Sequence, residues 1–204
     1  DEDRATELGI RALPLSAGGE SLYFGLAGSN STDGRATIDY LDPAKEEFLE
    51  YDVTKLIYQL ATVKKPVVAW LSSLPMSGGM DPMTGQPSEP WFVMVQAQEL
   101  FTVRNLDATI TSIDPDVDVL VLVHPKNLPP AALFAIDQYA LGGGHLLVFV
   151  DPDASQDTSA VEPNNPMAAM GADRSSNLEP LFKAWGVRYD PGEVVVDQQR
   201  GLTV

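Results

Sequence analysis

Residues 118–152 read DVLVLVHPKNLPPAALFAIDQYALGGGHLLVFVDP, and this stretch decides the fold class of the chain. Residues 119–123 and 146–150 are unbroken apolar runs rich in β-branched side chains, which is typical of parallel strands covered on both faces. Between them, helical spacing places one set of side chains on a single helix face: Ala132, Leu133, Ile136, Tyr139 and Ala140. Two prolines open this predicted helix and three glycines end it. The stretch therefore predicts a right-handed strand, helix and strand unit.

Strand and helix patterns alternate from residue 66 onward. Short apolar runs predict further strands at residues 66–71, 101–104, 108–113 and 194–196. Helical spacing predicts one helix opened by Ser88 and Pro90, and a last helix capped by Ser176 or Asn177. The alternation predicts an α/β fold, a three-layer sandwich built around a mostly parallel sheet.

The amino-terminal part has a different pattern. Two period-2 runs flank a turn-forming segment, and they comprise Leu22, Phe24 and Leu26, then Ala36, Ile38 and Tyr40. They predict a β-hairpin with one buried face. A helix capped by Asp42 is expected next, with an inner face formed by Leu49, Val53, Leu56, Ile57 and Leu60. We expect residues 1–18 to be extended or disordered and residues 19–204 to form a single α/β domain, a fragment of a longer membrane-anchored protein.

The composition narrows the function classes. The 204 residues, 44% of them hydrophobic, suffice for one main core. With 29 acidic against 13 basic side chains the formal charge is -16, which disfavours nucleic acid and a membrane surface as direct partners. The chain has no cysteine, which excludes disulfides, thiolate nucleophiles and cysteine metal sites. No apolar run reaches the roughly 18 residues of a membrane span, so membrane contact is expected only through segments outside this sequence.

Polar side chains at the carboxyl ends of the predicted strands are the candidates for chemistry, because ligands of open α/β sheets bind there. They are Ser72, Ser73, His124, Asp151 and Asp153. A hydrolase would pair His124, as general base, with Ser72 or Ser73. Neither serine has the flanking glycines of a nucleophile elbow, so hydroxyls that bond local backbone are the competing interpretation.

Acidic pairs raise the possibility of a metal site. Asp151 and Asp153 have a spacing that can hold a divalent cation, and the same spacing occurs wherever an acidic loop begins. Three aspartates within residues 114–118 match the start of a calcium loop, but Val119 and Pro125 occupy the positions of its glycine and glutamate. With two histidines in the chain, no zinc cluster of histidines is expected. No phosphate-cradling glycine frame is present, and we expect no cofactor.

The loop at residues 72–90 is rich in glycine, proline and methionine. It borders the same predicted sheet end as residues 126–130 and 151–155, and these three segments form the surface that we expect to contact a partner or ligand. The candidate binding residues there are Ser72, Ser73, Met76, Asp81, His124, Lys126, Asp151 and Asp153. Methionine supplies an adaptable apolar contact, and a methionine that covers the core is the competing interpretation.

The core also carries a family resemblance. Together, residues 117–152 and the segment PVVAWLSSLP at residues 66–75 resemble the extracytoplasmic domain of ABC-transporter auxiliary proteins of the gliding-motility type. The resemblance covers roughly residues 20–200. Its most specific part is the helix with the sequence IDQY, followed by glycines and by a strand that ends in Asp151 and Pro152.

This resemblance implies a fold related to flavodoxin-like proteins and to class I glutamine amidotransferases, without the catalytic cysteine of the latter. It also implies the periplasmic part of a bacterial inner-membrane protein, with ABC permease and ATPase subunits as partners. No catalytic residue carries over. The expected function is therefore that of a non-enzymatic extracytoplasmic binding or assembly domain. A receptor for a sugar or divalent cation, and a hydrolase of amidotransferase-like fold, remain as alternatives.

Overall fold

The structure is a computed structural model, and it describes residues 2–15, 20–62, 64–80, 85–157, 159 and 172–193. The chain divides into two compact units, Asp1–Lys65 and Pro66–Val204. Among the described residues, no helix has the length and apolar character that a bilayer crossing requires.

The first unit contains short helices and two antiparallel two-stranded sheets. Its elements are α1 (Glu2–Glu7), β1 (Ala12–Pro14), β2 (Ser21–Tyr23), β3 (Leu26–Ser29), β4 (Arg35–Ile38), a 3-10 helix (Pro43–Phe48) and α2 (Leu49–Ala61). Strands β3 and β4 form a hairpin at the predicted place. Asn30 shapes its turn, because the side-chain oxygen accepts the amides of Thr32 and Gly34 while the side-chain nitrogen donates to the carbonyl of Leu60.

The predicted buried face of the hairpin is only partly correct. Leu22, Phe24 and Leu26 are 42%, 47% and 38% exposed. Leu22 belongs to the other sheet, in which β2 pairs with β1. Helix α2 covers the hairpin at Gly28, where an added Cβ would lie 3.2 Å from the side chain of Leu56. The contact between α2 and the hairpin is therefore centred on Gly28, and the large apolar side chains near it remain partly exposed to solvent.

Two further differences concern the helices of this unit. Residues 1–18 contain α1, a short helix closed by the bond from the Leu8 amide to the Arg4 carbonyl, where the sequence predicts an extended or disordered segment. On α2, Leu56 is buried as predicted, but Leu49 and Ile57 are exposed. A narrow two-stranded hairpin covers one strip of the helix, which is narrower than the predicted inner face. The single domain predicted for residues 19–204 stays a prediction.

The second unit is an α/β domain. Its elements are β5 (Val67–Ser72), β6 (Gly79–Met80), β7 (Pro87–Ser88), α3 (Phe92–Leu100), β8 (Thr102–Asn105), β9 (Val119–Val123), α4 (Pro130–Leu141), β10 (His145–Phe149) and α5 (Glu179–Trp185). Four of the strands form one parallel sheet in the order β10-β9-β5-β8. The predicted strand, helix and strand unit is confirmed as β9, α4 and β10, and the α/β fold with a mostly parallel sheet is confirmed with it.

One face of this sheet carries the main core. Its side chains pack against α4 and α5, and the cluster includes Ala69, Leu71, Leu120, Leu122, Ala132, Ile136, Leu181 and Phe182. The chain leaves β5 for β8 in one direction and leaves β9 for β10 in the other. Right-handed crossovers therefore place α3 and α4 on opposite faces, which gives the three layers of the sandwich.

Some local predictions for this unit are wrong. Residues 108–113 form no strand, because the side chain of Asp107 accepts the amide of Thr109 and turns the chain there. The residue at the amino-terminal cap of α5 is Leu178, whereas the side chain of Ser176 bonds to His124 and to the amide of Asp151. The strand predicted at residues 194–196 lies outside the described residues.

Candidate functional site

The strand order reverses between β5 and β9, because the chain goes from β5 outward to β8 and from β9 outward to β10 on the other side. In open α/β sheets, ligands bind at such a switch point, in the crevice outside the carboxyl ends of the two strands. Here Ser72 ends β5, and Ser73 follows it directly. His124 follows β9, and Lys126 comes two residues later. The candidate site is therefore the crevice between these two strand ends.

The backbone at the end of β9 has an unusual conformation. His124 has φ 46° and Asn127 has φ 51°, both in the left-handed region that non-glycine residues rarely adopt. Each such residue costs on the order of 1–3 kcal/mol and persists only where surrounding contacts hold it. The His124 amide donates to the carbonyl of Phe149 at 2.9 Å, which ties the residue to the end of β10.

The imidazole of His124 is 1% exposed and both of its nitrogens have partners. Nδ1 lies 3.0 Å from Ser176 Oγ, and Nε2 lies 3.3 Å from Asp157 Oδ2. Ser176 Oγ accepts the amide of Asp151 at 2.8 Å. Because an ionised carboxylate can only accept, Nε2 carries a proton and donates it to Asp157.

Asp157 is the centre of the charged part of the site. Its side chain is 1% exposed, and Lys126 Nζ donates to Oδ2 at 2.5 Å. Burial acts to raise the pKa of this carboxyl, but the hydrogen bonds from Lys126, Ser159 and His124 outweigh burial and hold the pKa well below its ordinary value. Asp157 is therefore an anion across the physiological pH range.

Lys126 connects this carboxylate to both strand ends. Its ammonium group also donates to Ser159 Oγ at 3.2 Å and to the carbonyl of Asp173 at 2.5 Å, so all three of its protons are used. Its backbone amide donates to Ser73 Oγ at 3.2 Å, across the gap between β5 and β9. The backbone of Lys126 thus bridges the ends of β5 and β9, and its side chain holds Asp157, Ser159 and Asp173.

The end of β9 is covered by two arms, residues 151–157 and residues 172–176, which supply the partners of His124 and Lys126. The arms bond to each other, since the Ala154 amide donates to Arg174 and the Ser176 amide donates to Asp151, at 3.0 and 2.8 Å. Within the arms, the buried residues include Ala154, Asp157 and Ser176. The β9 side of the position where open α/β sheets bind ligands is therefore occupied by the protein's own side chains.

The structure brings together only some of the predicted binding residues. His124, Lys126 and Ser73 meet at the crevice, whereas Ser72 Oγ turns back to accept the Leu74 amide at 3.0 Å. Met76 is 5% exposed, so it packs inside and does not offer an adaptable surface contact.

Two of the three predicted acidic residues, Asp151 and Asp153, lie on the first arm. The Asp151 side chain accepts the amide of Asp153, and the carboxylate of Asp153 pairs with Arg174 at 2.9 Å in an exposed position. Asp81 lies outside the described residues.

Two central members of the site were missed from the sequence. Asp157 and Ser176 lie 33 and 52 residues from His124, in polar segments without periodicity. No local pattern distinguishes them from other loop residues. The fold and the positions of the arms bring them to His124.

Ser176, His124 and Asp157 have the connectivity of a nucleophile, a base and an orienting acid. The serine oxygen lies beside one ring nitrogen, and the opposite ring nitrogen faces the carboxylate. However, Ser176 is 3% exposed and its oxygen already accepts the amide of Asp151. In this arrangement a substrate carbonyl has no route to the hydroxyl, and the set acts as a closed hydrogen-bond network.

The calcium-like aspartates have a different role. Asp114 and Asp116 both bind the guanidinium of Arg104, at 2.7 and 3.0 Å, and the Asp118 side chain accepts the amide of Val67 at 2.7 Å. Their oxygens point to separate partners. Among the described residues, no group of three or more acidic, histidine or cysteine side chains is placed to hold a metal ion.

Comparison with known proteins adds one finding. A family model described as an ABC-type uncharacterized transport system matches residues 65–204, which are the larger part of the chain. No curated protein and no solved structure matches the chain.

Proposed function

Because this chain belongs to the family of ABC-type transport auxiliary proteins, we propose that it is a non-enzymatic binding or assembly domain within such a system. Family membership itself supports a role in an ABC transport system and association with transporter components. The proposal adds that the domain acts by contact, beside a permease subunit and an ATPase subunit that hydrolyses ATP. It also places the domain outside the cytoplasmic membrane, which rests on the resemblance to the gliding-motility type.

The closed hydrogen-bond network at the end of β9 is the observation that carries the proposal. The groups with catalytic potential at the sheet end, His124, Asp157 and Ser176, are each no more than 6% exposed and are hydrogen-bonded to one another. A buried and fully bonded network of this kind makes the carboxyl end of the sheet, here called the rim, rigid. It therefore favours a structural role of these groups over catalytic turnover. The exposed groups around it include Asp153, whose side chain is 68% exposed and available for contact with a protein surface.

Site-specific photocrosslinking in cells tests this proposal. A photoreactive amino acid replaces Asp153, on the exposed arm, in the full-length protein expressed with its permease and ATPase. We expect crosslinks from position 153 to a transporter subunit. The matched control carries the same group at Gln138, an exposed position on α4 away from the crevice.

Crosslinks to a transporter subunit from position 153, and none from position 138, would support contact through the rim. The proposal would fail if neither position crosslinked to a transporter subunit, or if both did so equally, while the subunits were present at normal levels.

A hydrolase is the second candidate, because Ser176, His124 and Asp157 have the hydrogen-bond order of a catalytic triad. An alkyl fluorophosphonate probe tests it on the intact chain, since this reagent labels activated serines. The proposed binding function leads us to expect no label on Ser176. Stoichiometric labelling of Ser176 that disappears in His124→Gln would replace the binding function with a hydrolytic one.

A further inference from the structure

We propose that the outer face of α2 docks an amphipathic helix of a transporter subunit. This face is formed by Tyr51, Thr54, Ile57, Tyr58 and Ala61. The docked helix has an apolar face and carries lysine or arginine residues where it meets the amino-terminal end of α2. The inference rests on the proposed function, since it takes the partner from the transport system. It adds a second contact surface, in the part of the chain that precedes the family match.

The hairpin of the first unit determines which side of α2 faces inward. An added Cβ at Gly28 would lie 2.7 Å from the side chain of Leu60 and 3.2 Å from that of Leu56. The side chain of Asn30, in the hairpin turn, donates to the carbonyl of Leu60 at 2.7 Å. The side of the helix that carries Leu56 and Leu60 is therefore held against the hairpin.

The opposite side of α2 is also apolar. Tyr51, Ile57 and Tyr58 are 57%, 59% and 43% exposed, and Thr54 and Ala61 are exposed between and beyond them. Spacings of three and four residues make these side chains neighbours on one surface, and none of them is charged. A helix on the surface of a protein usually carries polar and charged residues on its outer side, and a helix apolar on both sides is typical of one packed on both sides. The outer face is thus suited to a second packing partner.

The pattern of side-chain sizes on this face suits another helix. Large and small residues alternate along it, with Thr54 after Tyr51 and Ala61 after Ile57 and Tyr58. Such alternation produces ridges and hollows into which the side chains of a second helix can pack. Tyrosine is also enriched at the energetic centres of protein interfaces, because its large ring has few rotatable bonds.

The charges at the two ends of α2 define the partner further. Glu46, Glu47 and Glu50 are exposed at the amino-terminal end, and Lys64 is exposed beyond the carboxyl end. A partner helix with basic residues opposite the three glutamates is complementary to this arrangement. A second copy of the chain placed antiparallel would match these ends too, but the net charge of -16 opposes self-association. The same carboxylates disfavour the anionic headgroups of a lipid surface.

Site-specific photocrosslinking in cells is the first test. A photoreactive amino acid replaces Thr54 in the full-length protein expressed with its permease and ATPase, and we expect crosslinks to a transporter subunit. The matched control carries the same group at Arg35, an exposed residue of β4. Its neighbour Ala36 pairs with Gly28, so strand alternation directs Arg35 to the side of the hairpin away from α2. Equal crosslinking from positions 54 and 35 would contradict docking on the outer face.

Substitutions on the apolar face provide the second test. Ile57→Gln combined with Tyr58→Gln should lower crosslinking from position 54 by about tenfold or more. Because both side chains are exposed, amide hydrogen exchange of α2 should stay within about twofold of wild type. The matched control is Leu15→Gln, which replaces a side chain that is 62% exposed outside α2 and should leave crosslinking within about twofold. Crosslinking that survives the double substitution would overturn the proposal.

The basic character of the partner is tested by neutralising the glutamates. Glu46→Gln, Glu47→Gln and Glu50→Gln together should lower crosslinking from position 54 by about tenfold, whereas the same loss of charge in α1 should not. The control variant carries Glu2→Gln, Asp3→Asn and Glu7→Gln, all at exposed positions. Equal effects of the two variants would show that net charge alone, and not the end of α2, attracts the partner.

The crosslinks from position 153 separate this inference from the proposed function. Crosslinks from position 54 to the chain itself, in the same or a second copy, would overturn docking of a transporter helix. The absence of any crosslink from position 54, while those from position 153 persist, would overturn it as well and leave the rim contact standing. The loss of crosslinks from both positions, with the subunits at normal levels, would overturn both proposals.

Discussion

Asp157 shows how one side chain can organise a buried polar site. An isolated buried carboxylate is strongly disfavoured, and this one is tolerated because a lysine, a histidine and a serine all donate to it. Removing any donor leaves a charge that water cannot reach, since the side chain is 1% exposed. The stability of the site therefore depends on the complete set of donors.

Asp157→Asn tests that dependence through pH. The folded-state pKa of Asp157 is lowered, so its carboxylate stabilises the unit above the ordinary aspartate pKa of about 3.9, and this contribution is lost as the pH falls below that value. Near neutral pH we expect the variant to lose about 3–5 kcal/mol of unfolding free energy. The difference from wild type should shrink below about pH 4. Urea unfolding followed by tryptophan fluorescence measures it.

The exposed Asp153 provides the control for this measurement. Its carboxylate is 68% exposed and pairs with Arg174, so Asp153→Asn should cost no more than about 1 kcal/mol. If the two substitutions were equally costly at neutral pH, the burial of Asp157 would have no energetic role.

At this scale, position relative to a strand was the signal that predicted which side chains lie close together, and their role in binding stays a prediction. His124, Lys126 and Ser73 follow apolar runs, and the end of a parallel strand is a place where polar residues meet. Asp157 and Ser176 follow no such run. They reach the site because the arms fold back over the sheet, a long-range contact that local patterns do not encode.

At the scale of elements, α4 has two unequal faces. Ile136 is fully buried against the sheet, while Phe134 on the same helix is 62% exposed. Ile136→Ala leaves a cavity in the core and should lower the unfolding free energy by about 2–5 kcal/mol. Phe134→Ala should change it by no more than about 0.5 kcal/mol. Urea midpoints of the two variants test this difference, and equal midpoints would contradict the assignment of the core face.

The elements best predicted from sequence were those with long apolar runs. Strands β5, β9 and β10 were placed within one residue or so because short apolar runs rich in β-branched residues have few alternatives. The cover predicted on both faces of β10 is wrong, since β10 is an edge strand whose Leu147 and Phe149 are 48% and 51% exposed. The hairpin of the first unit was placed correctly but its covered face was not, since short strands with one partner bury little. Residues 108–113 alternate like a strand, yet the turn at Asp107 has the stronger local hydrogen bond.

At the scale of the whole molecule, charge governs association. The net charge is -16 and the sequence pI is about 4.2, so copies repel one another at neutral pH. Apolar side chains such as Leu147 and Phe149, which are 48% and 51% exposed on β10, offer a contact once that repulsion is removed. We expect a monomer in sedimentation experiments at neutral pH and larger species near pH 4.2 at the same ionic strength.

A control separates association from unfolding in that experiment. All three tryptophans, at positions 70, 91 and 185, lie in the second unit, so their emission reports whether this unit is still folded at the lower pH. Larger species with unchanged emission support the charge argument. An unchanged sedimentation coefficient at both pH values would show that repulsion does not limit self-association.

The sealed imidazole of His124 gives the molecule a spectroscopic reporter that needs no label. A ring N–H that water reaches only when the rim moves has a long lifetime and gives a sharp proton resonance far downfield of the amides. The chain has two histidines, and His145 is exposed, so the signal can be assigned by inspection. Its loss on adding a candidate transporter subunit, with the rest of the spectrum retained, would register movement at the rim in real time.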